Sequence, residues 1–192
     1  MTEIRNILLI GRTGSGKSTI ANVLVNQVDQ EGKFIGEFQE IFKEGEGATS
    51  QTREIQEKEM KINGVNYWII DTVGIGDTRL NEKQVLNELK DKVSKLNNLN
   101  QILFVVGASK KFEKGDVETF NHLRKHVFDG DREIVKFITI VRTNFSGFAK
   151  LDRCEKDIEN MANEGGEIAK IIELCEKKVI HVNNSTEDDD DS

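Results

Sequence analysis

Residues 4–28 read IRNILLIGRTGSGKSTIANVLVNQV, and this stretch decides the fold. Ile4–Ile10 is a compact apolar run that stops at a glycine, as a buried parallel strand does. From Ser18 to Val28, the side chains of Ile20, Val23, Leu24 and Val28 fall on one helical face. Between strand and helix, Gly11-Arg12-Thr13-Gly14-Ser15-Gly16-Lys17-Ser18 fits G-x-x-x-x-G-K-[ST] at every fixed position. Glycines let such a backbone curl until consecutive N–H groups, here from Arg12, Thr13, Gly14, Ser15 and Gly16 through Lys17, Ser18 and Thr19, point at phosphate oxygens. The helix start adds its positive dipole end. Lys17 brings a point charge to the β- and γ-phosphates, and the Ser18 hydroxyl is an oxygen ligand for Mg²⁺. A turn that only joined strand to helix would not need a lysine and a hydroxyl after its last glycine.

Working outward, strand-like and helix-like segments alternate. Residues 29–53 are polar and without period, a long loop of the kind that carries function. Residues 54–62 alternate apolar and polar, Asn63-Gly64 supplies a tight turn, and Val65–Ile70 runs back as a hairpin. Residues 82–96, 116–127, 151–161 and 168–175 read as helices, the last two split by Gly165-Gly166. Residues 102–106, 134–141 and 179–182 read as strands. This alternation predicts an α/β fold: a mostly parallel six-stranded sheet with one antiparallel edge strand and helices on both faces, in three layers. Ligands of such sheets bind beyond the carboxyl ends of the strands. There, Tyr67–Asp71 ends a strand in an acid and Thr72-Val73-Gly74 follows. The acid, Asp71, can hold Mg²⁺ through water, and the Gly74 N–H can meet a γ-phosphate. The loop before the hairpin offers Thr49, Ser50 and Thr52; Thr49 and Thr52 are both candidates for the hydroxyl that completes the magnesium shell.

Composition narrows the classes. The 192 residues carry 34 acids against 27 bases, a formal charge of −7, and five of the acids form the run Glu187–Asp191. Residues 185–192 therefore read as an acidic disordered tail behind one domain, 1–184, and the rest of the chain is close to neutral. No basic excess exists to bind nucleic acid. No apolar run reaches the length of a membrane span, and a cytoplasmic location is expected. Cys154 and Cys175 read as small core residues of a reducing compartment. His122 and His126 are spaced to share a metal ion but lack a third ligand nearby, and His181 lies in the final loop, where it can flank a bound base. There is no proline, although average usage of about 5% would place roughly ten in a chain of this length.

The chain resembles the immune-associated nucleotide-binding GTPases, also called AIG-type, in the septin- and Toc-like branch of P-loop proteins. The resemblance runs from about Ile4 to Asn184 and is carried by GRTGSGKSTIANVLV, the ATSQT loop, DTVGIGD, ILFVVGASKKFEKGDVETFNHL and the late HVNN. It implies GTP or GDP with Mg²⁺ as ligands and a homodimer formed across the nucleotide faces. It implies a slow GTPase in which Lys17, Thr52 and Gly74 act at the phosphates and Lys111 reaches toward a partner's nucleotide. Base contacts would come from Arg142, stacking, and from Asn144, Asn183 and Asn184.

Several positions depart from the family pattern. Val73 stands where many members have proline, Ile75 where Ras-like enzymes carry a water-positioning glutamine, and Lys111 where the family tends to hold arginine. The usual guanine motif [NT]-K-x-D is absent; the matching strand end reads Val141-Arg142-Thr143-Asn144-Phe145. Three readings follow: a slow Mg²⁺-dependent GTPase promoted by dimerisation, a GTP-dependent assembly module with negligible hydrolysis, and a small ATP-dependent kinase. The last needs an arginine-rich lid, and residues 107–133 hold only Arg124 and Arg132.

Overall fold

The computed structural model describes residues 4–26, 36–43, 54–76, 82–96, 98–107, 112–131 and 133–183. Its elements run β1 (Ile4–Gly11), α1 (Lys17–Asn26), β2 (Gln56–Ile62), β3 (Val65–Asp71), α2 (Glu82–Ser94), β4 (Gln101–Gly107), α3 (Lys114–His122), β5 (Ile138–Thr143), α4 (Leu151–Asn163), α5 (Gly166–Leu174) and β6 (Val179–His181). The sheet order is β2-β3-β1-β4-β5-β6. Among the described strands β2 alone is antiparallel, joined to β3 by a hairpin in which Asn63 and Gly64 both take positive φ, as a two-residue turn of this twist requires. The six strands and the antiparallel edge match the expectation.

Period-two alternation sorts the sheet side chains into two cores. Leu8, Ile10, Ile70, Ile102, Phe104, Ile138 and Ile140 face α2, α3, α4 and α5, and Phe104 meets Phe120 of α3 edge-on at 5.4 Å. Leu9, Ile69, Leu103, Val105 and Val141 form the other core, where α1 supplies Ile20 and Ala21. Helices thus cover both faces, but four pack on one and α1 on the other among the described residues.

Residues 36–43, the described part of the long loop, pack against α1. Phe42 is fully buried in the α1-side core. Two asparagines of α1 hold the segment in place. Asn22 accepts from the Ile41 and Phe42 N–H groups and donates to the Phe42 carbonyl; Asn26 donates to the Gln39 carbonyl and accepts from its N–H.

Most element boundaries shift by one or two residues from the sequence expectation, and two elements differ by more. Residues 134–137 form a 3₁₀ turn instead of the start of a strand. The neighbouring β4 pairs with β5 from Ile102 opposite Ile138, so the preceding residues have no ladder to join. The helix expected over 116–127 begins at Lys114 and widens into a π turn over Leu123–Val127, closed by Phe128 N–H to the Leu123 carbonyl. The extra residue in that turn lets Leu123, Val127 and Phe128 all reach the core. Cys175 is buried as expected, whereas Cys154 on α4 is partly exposed, because it sits where α4 meets the loop carbonyls of Gly147 and Phe148 instead of the sheet.

Candidate functional site

The carboxyl edge of the sheet gathers the predicted phosphate machinery. Gly14 and Gly16 take positive φ and let the loop between β1 and α1 close back on itself. Lys17 is buried and donates from Nζ to the Arg12 carbonyl at 3.0 Å. Burial lowers its pKa from the ordinary 10.5 to about 8, with the nearby Asp71 carboxylate pulling the other way. A phosphate entering the loop would replace the solvation that burial removes from this ammonium.

Asp71, fully buried at the end of β3, accepts a 2.6 Å hydrogen bond from the Ser18 hydroxyl. The pair sets a carboxylate and a hydroxyl side by side, the hard-oxygen donors that Mg²⁺ takes. Among the described residues no group of three His, Cys, Asp or Glu side chains could hold a metal ion. Mg²⁺ is held by one or two protein oxygens, with phosphate and water completing its shell.

Gly74 lies against the phosphate loop. A Cβ there would meet Thr13 at 2.4–2.6 Å, so only glycine allows the β3 loop to come this close. The contact is reinforced by Ile75 N–H donating to the Gly11 carbonyl at 3.2 Å and by Thr72 Oγ1 donating to the Leu9 carbonyl at 2.7 Å. Ile75 itself is 1% exposed, packed into the core. Of the other loop residues, Ser15 is buried, Ser18 and Thr19 are half-buried, and Thr13 and Gly14 are open to solvent.

The base side is rearranged relative to the expectation. Asn144 is exposed in the left-handed region, and Asn183 is half-buried just past β6. Arg142 does not lie where a base could stack on it. It shares a strand face with Ile138 and Ile140, its side chain is 5% exposed, and its Nε donates to Asp157 Oδ2 of α4 at 3.3 Å. His181 belongs to β6, not a loop, and its Nε2 meets the same Asp157 oxygen at 2.8 Å while its ring packs on Phe145. Both residues therefore build the wall between β5, β6 and α4.

Sequence reasoning passed over Thr143. It is fully buried, and its hydroxyl donates to the Ser15 carbonyl at 2.8 Å, tying the end of β5 to the phosphate loop. The signal was present: threonine is allowed at the first position of [NT]-K-x-D, and in that register Asn144 takes the lysine place and Ser146 the aspartate place. Thr49, Thr52, Lys111 and Asn184 lie outside the described residues, as does the segment 185–192. His122 of α3 contacts Glu82 at the start of α2, through Nδ1 and Oε1 at 2.5 Å. No third metal-ligating residue joins His122 and His126 into a metal cluster among the described residues.

A strand, a phosphate-binding loop closed by lysine and serine, and an acid at the end of the neighbouring strand define a P-loop nucleotide-binding domain. The family model described as AIG1 family matches residues 5–192, and the chain belongs to that family. It is 23% identical over 192 residues to immune-associated nucleotide-binding protein 3 of Arabidopsis thaliana, covering 96% of this chain and 51% of that protein. The chain thus spans about half the length of this curated relative. Among solved structures, Toc33 from Arabidopsis thaliana in complex with GDP and Mg²⁺ superposes with a TM-score of 0.60 at 17% identity, over 95% of this chain and 72% of that one. A structure described under the statement that dimerization is important for the GTPase activity of the chloroplast translocon components atToc33 and psToc159 gives 0.61 at 17% identity, over 96% and 72%. At these identities the likeness is one of fold.

Proposed function

We propose that this domain is a guanine-nucleotide switch that binds GTP and GDP with Mg²⁺ and hydrolyses GTP slowly, with hydrolysis promoted by dimerisation across the nucleotide faces. The observation that carries the reading is the convergence of Lys17, Ser18, Asp71 and Gly74 on one loop in an AIG1-family chain. Bound Mg²⁺, held by Ser18 and Asp71, would neutralise charge on the β- and γ-phosphate oxygens. Lys17 gives up its hydrogen bond to the Arg12 carbonyl and turns its ammonium to the same oxygens. Gly74, packed against Thr13 of the phosphate loop, would offer its N–H to report whether a γ-phosphate is present.

Slow turnover follows from Ile75. It occupies the place of a water-orienting side chain, yet it is apolar and points into the core. Positioning of the attacking water then has to come from elsewhere, and a second protomer is the proposed source, as dimerization is important for the GTPase activity of atToc33 and psToc159. The same observation favours a second reading, a GTP-dependent assembly module with negligible hydrolysis. GTP turnover per protomer, measured across a hundredfold range of protein concentration, separates the two. A specific rate that climbs with concentration supports the switch, and a flat rate at the uncatalysed level supports the assembly module. Among the described residues no helix is long and apolar enough to cross a membrane. A cytoplasmic location and a homodimer with no nucleic-acid partner complete the proposal.

A further inference from the structure

Arg12 stands second in the phosphate loop, but its side chain does not serve that loop. Its Nη1 donates to Glu113 Oε2, immediately before α3, at 2.8 Å across 101 residues of sequence. The guanidinium rests on the first turn of that helix. A Cβ at Gly115 would fall 2.7 Å from its Cζ, 2.9 Å from Nε and 3.0 Å from Nη1, so the seat exists only because residue 115 is glycine. On its other side the same group borders the loop after β3: a Cβ at Gly76 would lie 4.0 Å from Nε. The Arg12 backbone bridges Ile75 of that loop and takes the Lys17 ammonium on its carbonyl.

The acceptor is itself held. Glu113 N–H donates to Asp116 Oδ2 at 2.8 Å, and Asp116 is buried. Burial raises the Asp116 pKa, with the Glu113 N–H, Arg12 and Arg142 acting in the opposite sense. Three segments far apart in sequence therefore meet on one side chain: the phosphate loop, the loop that senses the γ-phosphate, and the start of α3.

We propose that Arg12 is a positioning residue that couples the β3 loop, residues 72–76, to the start of α3, residues 113–116, so that the nucleotide state of the first is passed to the second. The triphosphate half of this inference rests on the nucleotide reading given above. The Arg12 and Glu113 side chains are 37% and 40% exposed. Such a pair shifts an equilibrium by up to about fivefold, too little to hold the fold together and enough to bias a two-state loop.

Two variants remove the contact by different routes: Glu113→Gln discharges the acceptor, and Gly115→Ala fills the seat. Glu113 bonds the Arg12 guanidinium, and Gly115 makes room for the same group. Hydrogen exchange of the nucleotide-free protein is the first test. Both variants are expected to speed exchange at residues 72–76 by two- to fivefold, and the double variant no further. Alanine should, if anything, firm the first turn of α3, so fraying of that helix cannot produce this result. Changes confined to residues 112–118 would overturn the coupling. The second test is release of fluorescent GDP and of a non-hydrolysable GTP analogue. Glu113→Gln should hasten release of the analogue by two- to fivefold and leave GDP release as it is; equal changes for both would also overturn it. If neither nucleotide binds, the functional reading fails, and the exchange experiment still decides the coupling.

Discussion

Replacing Lys17 by methionine should stabilise the nucleotide-free protein at neutral pH while abolishing nucleotide binding. The lysine is buried, and burial brings its pKa from 10.5 to about 8. Because the folded-state value is the lower one, folding below pH 8 carries the full cost of burying the charge, about 3 kcal/mol. That cost fades as the pH rises from about 8 to 10.5, where the folded and unfolded chains lose the same proton. Methionine keeps the apolar stem but removes the donor to the Arg12 carbonyl and the cation near Asp71, which returns about 1–2 kcal/mol. The net gain is about 1–2 kcal/mol at pH 7, or roughly 4 °C in Tm for a domain of this size. Thermal unfolding with chelator and no nucleotide, at pH 7 and pH 9.5, is the assay. The gain should vanish or reverse at the higher pH, where about 2 kcal/mol of the wild-type cost has disappeared. A variant less stable than wild type at pH 7, or a difference that does not change with pH, would refute the reasoning.

Other consequences follow from single contacts. Gly74→Ala forces a methyl group into Thr13, so the preference for a triphosphate over a diphosphate should fall by roughly tenfold or more in paired affinity measurements. Thr143→Val strands the buried Ser15 carbonyl, and should cost about 1–2 kcal/mol in denaturant unfolding together with weaker nucleotide binding. Asp157→Ala leaves Arg142 buried without its carboxylate. A loss of about 3 kcal/mol is expected in the same unfolding assay, whether or not nucleotide is present, because the pair belongs to the wall and not to the ligand.

The parts of the molecule legible in the sequence are those whose chemistry is local. The phosphate loop is eight consecutive residues, Asp71 ends its own strand, and Asn63-Gly64 encodes its own turn. What escaped depends on partners distant in the chain. Phe42 sits in a polar stretch, and only the asparagines of α1 show why it enters the core. Residues 134–137 are apolar enough for a strand, yet β4 offers them no partner. Arg142 looks available to a base until β5 is given a direction, whereupon it shares a face with Ile138 and Ile140. The Arg12–Glu113 pair spans 101 residues and leaves no periodic trace at all.

The most direct measurement is a competition experiment on purified protein with Mg²⁺, in which fluorescent GDP is displaced by unlabelled GTP, GDP or ATP, repeated with chelator. The account predicts displacement by both guanine nucleotides, little by a hundredfold excess of ATP, and much weaker binding once Mg²⁺ is removed. Displacement by ATP as readily as by GTP, or no binding of the labelled nucleotide, would contradict it.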